Sequence, residues 1–553
     1  MQCSSSQSFV LGKERKNNPH YFVDLTEDIL NVFDILNSMC ILENYNDLLL
    51  YLESNLMSID HKKLVVPPFD VFMILLTVCT ITPNYKNNII QENDHYNTTL
   101  TLLNRRVQNI LKMYIKIVKD FNTSKYEVYD LELLRCQLFL MVDSLIPSKH
   151  TISTNNNKRK NKNNSLEENK LFFPNKYESY VYCLDKNIET LGNTLLHLVF
   201  HKYGEFTNCI LWTLVNSMSN TNENFLTTIE IWIPLLNIIF DILELRHEYF
   251  IMNELRKELP KSIFDELSES PLAKLFKMFV VSHNFSTRFC EYIFIECEGL
   301  KTSNSLNYRP HPIYHGENTF NNTYVQRVNY SKRYKLEKSF IFRRRIISLC
   351  YKLVSDLPRS KKLLSDPRMN KSTLTDHIVD SLLKLQDIVE FKTFFKSDDL
   401  LQDIGYLPYL AQKTFFVIRD QVLYPETHNQ YPTFNRDTEE CNFVENFGED
   451  DKFLEELLDL VEESEDLFTN FNGQPFEKAF LLIEKSKICL VTLIKYFLYL
   501  ECNDTSDLNH ILIDSLLNTC KSYDEKLLNN IAELDCNISP FSLFSTLNNL
   551  FHK

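Results

Sequence analysis

Apolar residues recur every three or four positions along most of this chain, and that spacing leaves few alternatives to helix. In DLTEDILNVFDILNSMC, Ile29, Val32, Phe33, Leu36, Met39 and Cys40 share one face, and Asp24 or Thr26 stands where an N-cap side chain is needed. Comparable runs cover 102–118, 131–145, 180–199, 209–218, 229–250, 340–353, 375–395, 453–468, 476–500 and 508–520. Strand-like alternation is nearly absent. Only 8 glycines and 18 prolines punctuate 553 residues, so long helices meet few breakers. The expected fold is all-α: an elongated array of many helices without a repeat of fixed period, carrying disordered loops.

Three stretches interrupt the pattern. TISTNNNKRKNKNNSLEENK has no apolar period and opens an expected disordered Asn/Lys-rich loop over 151–176. Pro310, Pro312 and Gly316 mark an irregular loop within 301–335, and 424–450 reads as an acidic linker. These breaks delimit three expected helical regions, 20–150, 177–423 and 451–553.

Charge is segregated along the sequence. Between Asp437 and Asp466 there are 14 acidic residues against Lys452 alone, while Arg327–Lys371 holds 14 basic residues against Glu337, Asp356 and Asp366. The 14 cysteines are scattered, mostly in apolar runs, with no CxxC pair. Together with a start that lacks a charged-then-apolar leader, this predicts reduced intracellular thiols and gives zinc or thioredoxin-like chemistry no support. The apolar windows 69–83 and 229–243 fall short of the ~20 residues a bilayer span requires. The longer run from Phe480 to Leu500 contains Glu484, Lys485, Lys487 and Lys495, so no membrane association is expected.

HPIYHGEN places His311, His315 and Glu317 close together, as a metal or acid-base site would. Two histidines serve a metal best from one helical face, and the flanking prolines disfavour helix there, so a surface loop is the better reading. No GxGxxG, GxxxxGK[ST] or GxSxG occurs, which removes the backbone devices of phosphate cradling and of the nucleophile elbow. No catalytic residue, cofactor or metal ligand is assigned, and an enzyme is not expected.

Three stretches suit binding. YSKRYKLEKSFIFRRRIISLCYKL interleaves basic and aromatic side chains, and Arg343, Arg344 and Arg345 are its candidate nucleic-acid contacts. The competing reading is a solvated helix face, and an acidic chain favours only weak or indirect DNA contact. LLDLV followed by EESED resembles a SUMO-interacting segment through Leu457, Leu458, Leu460 and Val461, although the same residues fit an amphipathic helix better. FDVFMILL and IEIWIPLLNIIF are apolar on more than one face, as an enclosed helix or a partner-covered surface would be. Phe69, Phe72, Trp232 and Leu236 are the candidate partner anchors.

Beyond these patterns, HYFVDLTE (20–27), LNSMCILENY (36–45), YDLELLRCQ (129–137), ILWTLVNS (210–217), EIWIPLL (230–236), LSESPLA (267–273) and HPIYHGENT (311–319) make the chain similar, in one order from about His20 to about Leu500, to the non-SMC element 5 family in its budding-yeast form. The likeness is weak in the Asn/Lys loop, the acidic linker and the last fifty or so residues. It implies an all-helical, nuclear and chromatin-associated regulatory subunit that forms an obligate heterodimer with non-SMC element 6. That pair acts on the SMC five/six core, restrains its ATPase, assists its loading on chromatin in DNA repair and supports the SUMO ligase subunit. The family has no catalytic motif, and HPIYHGENT becomes a family structural feature.

Overall fold

A computed structural model of the chain describes residues 25–58, 62–80, 95–146, 205–218, 228–254, 270–279, 285–300, 336–357, 374–396, 406–423, 458–459, 461–462, 476–501, 510–533 and 540–551. Among the described residues every regular element is helical, as the periodicity predicts. They group into two compact units. The first gathers the described residues of Met1–His283 and Lys352–Leu363, the second those of Asn284–Ser303, Tyr334–Tyr351 and Leu364–Lys553.

In the first unit the helices are α1 (Glu27–Ile41), α2 (Tyr45–Met57), α3 (Phe69–Cys79), α4 (His95–Lys119), α5 (Val128–Leu145), α6 (Glu205–Asn216), α7 (Ile233–Tyr249) and α8 (Pro271–Phe279). Thr26 is the N-cap of α1, accepting a hydrogen bond from the Ile29 amide at 3.4 Å. Helix α3 packs against α1, α4 and α5, and α7 packs against α4, α5 and α8. Nearly every residue of α3 is buried, because its apolar side chains surround the axis and no single face satisfies them. One π-helical turn precedes α7 at Thr228–Trp232 and another follows it at Phe250–Glu254.

The segment entering α3, 62–68, forms no strand pairing among the described residues, and side chains satisfy its backbone. Asp130 accepts from the Leu64 amide at 2.8 Å and Asn55 from that of Val65 at 2.8 Å. Gln137 accepts from the Phe69 amide at 3.0 Å, and the Tyr114 hydroxyl donates to the Val65 carbonyl at 2.8 Å.

The second unit contains α9 (Phe285–Ile293), α10 (Leu336–Asp356, whose last turn lies in the first unit), α11 (Leu374–Lys384), α12 (Ile388–Phe395), α13 (Leu407–Leu423), α14 (Phe476–Glu501), α15 (His510–Glu533) and α16 (Leu543–Phe551). Helix α14 packs against α12, α13 and α16. The single run expected over 375–395 is two helices. Asp387 caps α12 by accepting from the Val389 amide at 2.8 Å, while the buried Lys485 ammonium donates to the carbonyls of Leu382, Leu383 and Leu385 at 3.3, 2.7 and 2.6 Å. A cation on the open carbonyls of a helix C-terminus stabilises the break. Gly299 approaches the same turn with φ +92°, and a Cβ there would stand 2.3 Å from the Lys384 carbonyl oxygen, so only glycine fits.

Candidate functional site

The residues picked out as partner anchors are all buried within the first unit. Phe69 and Phe72 sit on α3, and Phe72 meets Tyr114 edge-on with ring centroids 5.6 Å apart. Trp232 ends the π turn before α7, stands T-shaped to Trp212 at 6.5 Å, and is buried, as is Leu236. Of the two readings of these apolar runs, enclosed helix and partner-covered surface, the geometry is that of the enclosed helix. Their periodicity signalled burial correctly but carried no information on what covers them.

The three arginines of α10 are separated in the same way. Arg343 is fully buried, giving Nε to Ser339 Oγ at 3.1 Å and Nη1 to the Ile293 carbonyl. Burial holds its guanidinium below the ordinary value, opposed by Cys297, Glu390 and Glu296. Arg344 is also buried and donates from Nη1 to the carbonyls of Phe394 and Lys396 at 3.2 and 2.9 Å. Neither head group is offered to a phosphate. Arg345 is half-buried, and Lys338 on the same helix is exposed.

Leu458, Asp459, Val461 and Glu462 have helical backbone, with Val461 buried. Leu457 and Leu460 lie outside the described residues, as do His311, His315 and Glu317.

One constellation has no sequence signal at all. His247 on α7 lies with Nδ1 3.2 Å from Ser270 Oγ and Nε2 3.4 Å from Asp356 Oδ2, which places a serine, a histidine and an aspartate in line. The residue types match a hydrolytic triad, but the environment does not. Ser270 and His247 are both fully buried, and Ser270 Oγ accepts from the Ala273 amide at 3.3 Å, capping α8. Burial, reinforced by Lys352 and Arg246, lowers His247 to about 3, so its imidazole is neutral. Lys352 balances the neighbouring acids, at 3.1 Å from Glu248, 3.7 Å from Asp356 and 3.9 Å from Glu244. With the serine and the histidine both enclosed, the cluster works as a polar clamp on α7, α8 and the end of α10.

The second unit has a similar clamp. Lys487 is fully buried, donates to the Phe541 carbonyl at 2.7 Å, and stands 3.4 Å from Asp524 and 3.5 Å from Glu484. Asp524 in turn accepts from the amides of Leu543 at 3.2 Å and Phe544 at 2.9 Å and from Ser542 Oγ at 2.9 Å, anchoring the start of α16. None of the nine described cysteines forms a disulfide and all are buried, which makes their thiols unreactive. No group of three His, Cys, Asp or Glu that would hold a metal occurs among the described residues, and no helix of theirs is long and apolar enough to cross a membrane.

Buried polar clamps and enclosed aromatic helices make the described residues an all-helical protein of densely packed interiors. The model of a family described as DNA repair proteins Nse5 and Nse6 matches residues 1–522. The chain is also 38% identical over 509 residues to the non-structural maintenance of chromosome element 5 of Saccharomyces cerevisiae, a match spanning 89% of this chain and 88% of the yeast protein. The chain therefore belongs to the non-SMC element 5 family. Its general role is that of a non-catalytic scaffold and regulatory subunit in DNA repair.

Proposed function

We propose that the chain pairs with non-SMC element 6, and that the pair binds the SMC five/six complex in the nucleus, restrains its ATPase, assists its loading on chromatin and supports its SUMO ligase subunit. The observation that carries this reading is the family match over residues 1–522. Physically, the role demands contact and no bond chemistry. A subunit that binds one arrangement of an ATPase better than another shifts the motor toward the bound arrangement by that difference in affinity. A body of helices held by buried ionic clamps is a stiff platform for such a contact. Co-expression with non-SMC element 6, followed by size-exclusion chromatography and multi-angle light scattering, is expected to give one stable complex of one copy each. Separate elution of the two chains at micromolar concentration would overturn the pairing.

A nucleic-acid role for 327–371 is the second reading, and within the described residues it rests on Lys338 and Arg345, which face outward or partly outward. A SUMO contact through 457–461 would require the helical backbone at Leu458 and Val461 to open into a strand.

A further inference from the structure

The first two helices show a pattern that the family reading does not explain. Of the ten large apolar side chains that are exposed among the described residues, five lie on α1, α2 and the turn between them: Ile35, Leu42, Leu50, Tyr51 and Met57. Isolated exposed apolar residues are ordinary, but clustering of this kind marks an interaction surface. On α1 the outward positions Asn31, Ile35 and Ser38 lead to Leu42 at the cap, and on α2 they are Asn46, Leu50, Ser54 and Met57. Each line alternates a large apolar residue with a small uncharged one. Ile35 and Leu42 are 50% and 76% exposed, and Leu50 and Met57 are 60% and 68% exposed.

Charge along these lines is acidic except at the far end of α2, where the exposed Lys125 ammonium donates to the Ser58 carbonyl. Glu27, Asp28, Asp34, Glu43 and Asp47 are exposed, and no lysine or arginine occurs from Leu25 to Ser58. Arg106 of the adjacent α4 adds no free positive charge, because it makes a two-pronged pair with Glu53 at 2.8 and 2.7 Å. The spacing suits a helical occupant, whose own apolar residues can sit in register with both lines. Within each line the apolar residues are seven apart, two helical turns or about 10.5 Å. A helix repeats one face at that interval, whereas an extended strand repeats its face about every 6.8 Å.

We propose that the outward face of α1 and α2 docks an amphipathic helix of a partner protein, with apolar residues seven apart and lysine or arginine along both edges. The apolar lines supply the contact and the acidic border sets orientation and excludes acidic helices.

A fluorescent synthetic helix with leucines on one face and lysine edges is titrated against the full chain, beside the same peptide with glutamate edges. The lysine peptide is expected to bind with salt-dependent affinity and the glutamate peptide to bind at least about tenfold more weakly. The exposed-site variant Ile35→Ser, Leu42→Ser, Leu50→Ser, Met57→Ser, with its fold checked by circular dichroism, is expected to weaken lysine-peptide binding at least about tenfold. A second variant, Asp34→Asn, Glu43→Gln, Asp47→Asn, is expected to lose most of the salt dependence. Equal binding of the lysine peptide by wild type and the serine variant, equal binding of both peptides, or no binding of either overturns the proposal. So does self-association of the chain that the serine variant abolishes, which would make a second copy the occupant.

Discussion

Replacing Arg343 with alanine separates a packing role from a phosphate-binding one. The side chain is enclosed, with its head between Ser339 and the Ile293 carbonyl and its charge facing Glu390 and Glu296. Removing it withdraws a donor from a buried carbonyl, at about 1–3 kcal/mol, and strips buried Glu390 and half-buried Glu296 of their nearby cation. Breaking a buried charge pair by deleting one partner costs about 3–5 kcal/mol, and relief of the arginine's own desolvation offsets part of the added cavity. A net loss of about 4 kcal/mol is expected, which moves a urea midpoint down by about 1–2 M for an m-value of 2–3 kcal/mol/M. Arg345→Ala, at a half-buried site, should stay within about 0.5 kcal/mol of wild type. Unfolding followed by circular dichroism, with DNA affinity measured on the same samples, makes the comparison. An Arg343→Ala chain that unfolds at the wild-type midpoint yet loses DNA affinity would refute the structural assignment.

Three further outcomes follow from the buried groups. Raising the pH from about 7.5 to 10 should destabilise the chain: Cys40, Cys79, Cys290, Cys350, Cys489 and Cys520 stay protonated when folded, burial being the main cause, whereas the unfolded thiol titrates at 9.0. The folded state then holds more protons, so each thiol costs stability as the pH rises through 9, while Lys485, lowered by burial to about 8, regains some; six thiols outweigh one lysine, and a urea midpoint that holds steady or rises would contradict this. Asp524→Ala should cost about 3 kcal/mol by uncapping α16 and removing an acid from beside buried Lys487, seen as faster amide hydrogen exchange across 540–551 than in 485–495. Phe72→Ala should cost about 3–5 kcal/mol through the cavity it leaves against Tyr114, read as a lower thermal midpoint.

Helices were legible because their cause is local. The 3.6-residue period of Ile29 through Cys40 predicts α1, and Thr26 supplies its cap. The break between α11 and α12 was not legible, because the Lys485 ammonium that stabilises it arrives from about a hundred residues away. Arg343 and Arg344 misled for the same reason. A basic run next to apolar residues looks like a solvated face until the carbonyls of Ile293, Phe394 and Lys396 are brought to it by folding. Likewise His247, Ser270 and Asp356 meet only in three dimensions, and no spacing in the sequence announces them. Enclosure of Phe69 and Trp232 was among the readings their all-round apolar context allowed, but choosing it over a partner surface needed the neighbouring helices.

Under the proposed function, this chain acts by holding other proteins in one arrangement. ATP turnover by the purified SMC five/six complex, titrated with the chain bound to non-SMC element 6, tests that most directly. Turnover should fall and level off at one equivalent of the pair, with no hydrolysis by the pair itself. Turnover that stays constant through saturation of binding would contradict the claim.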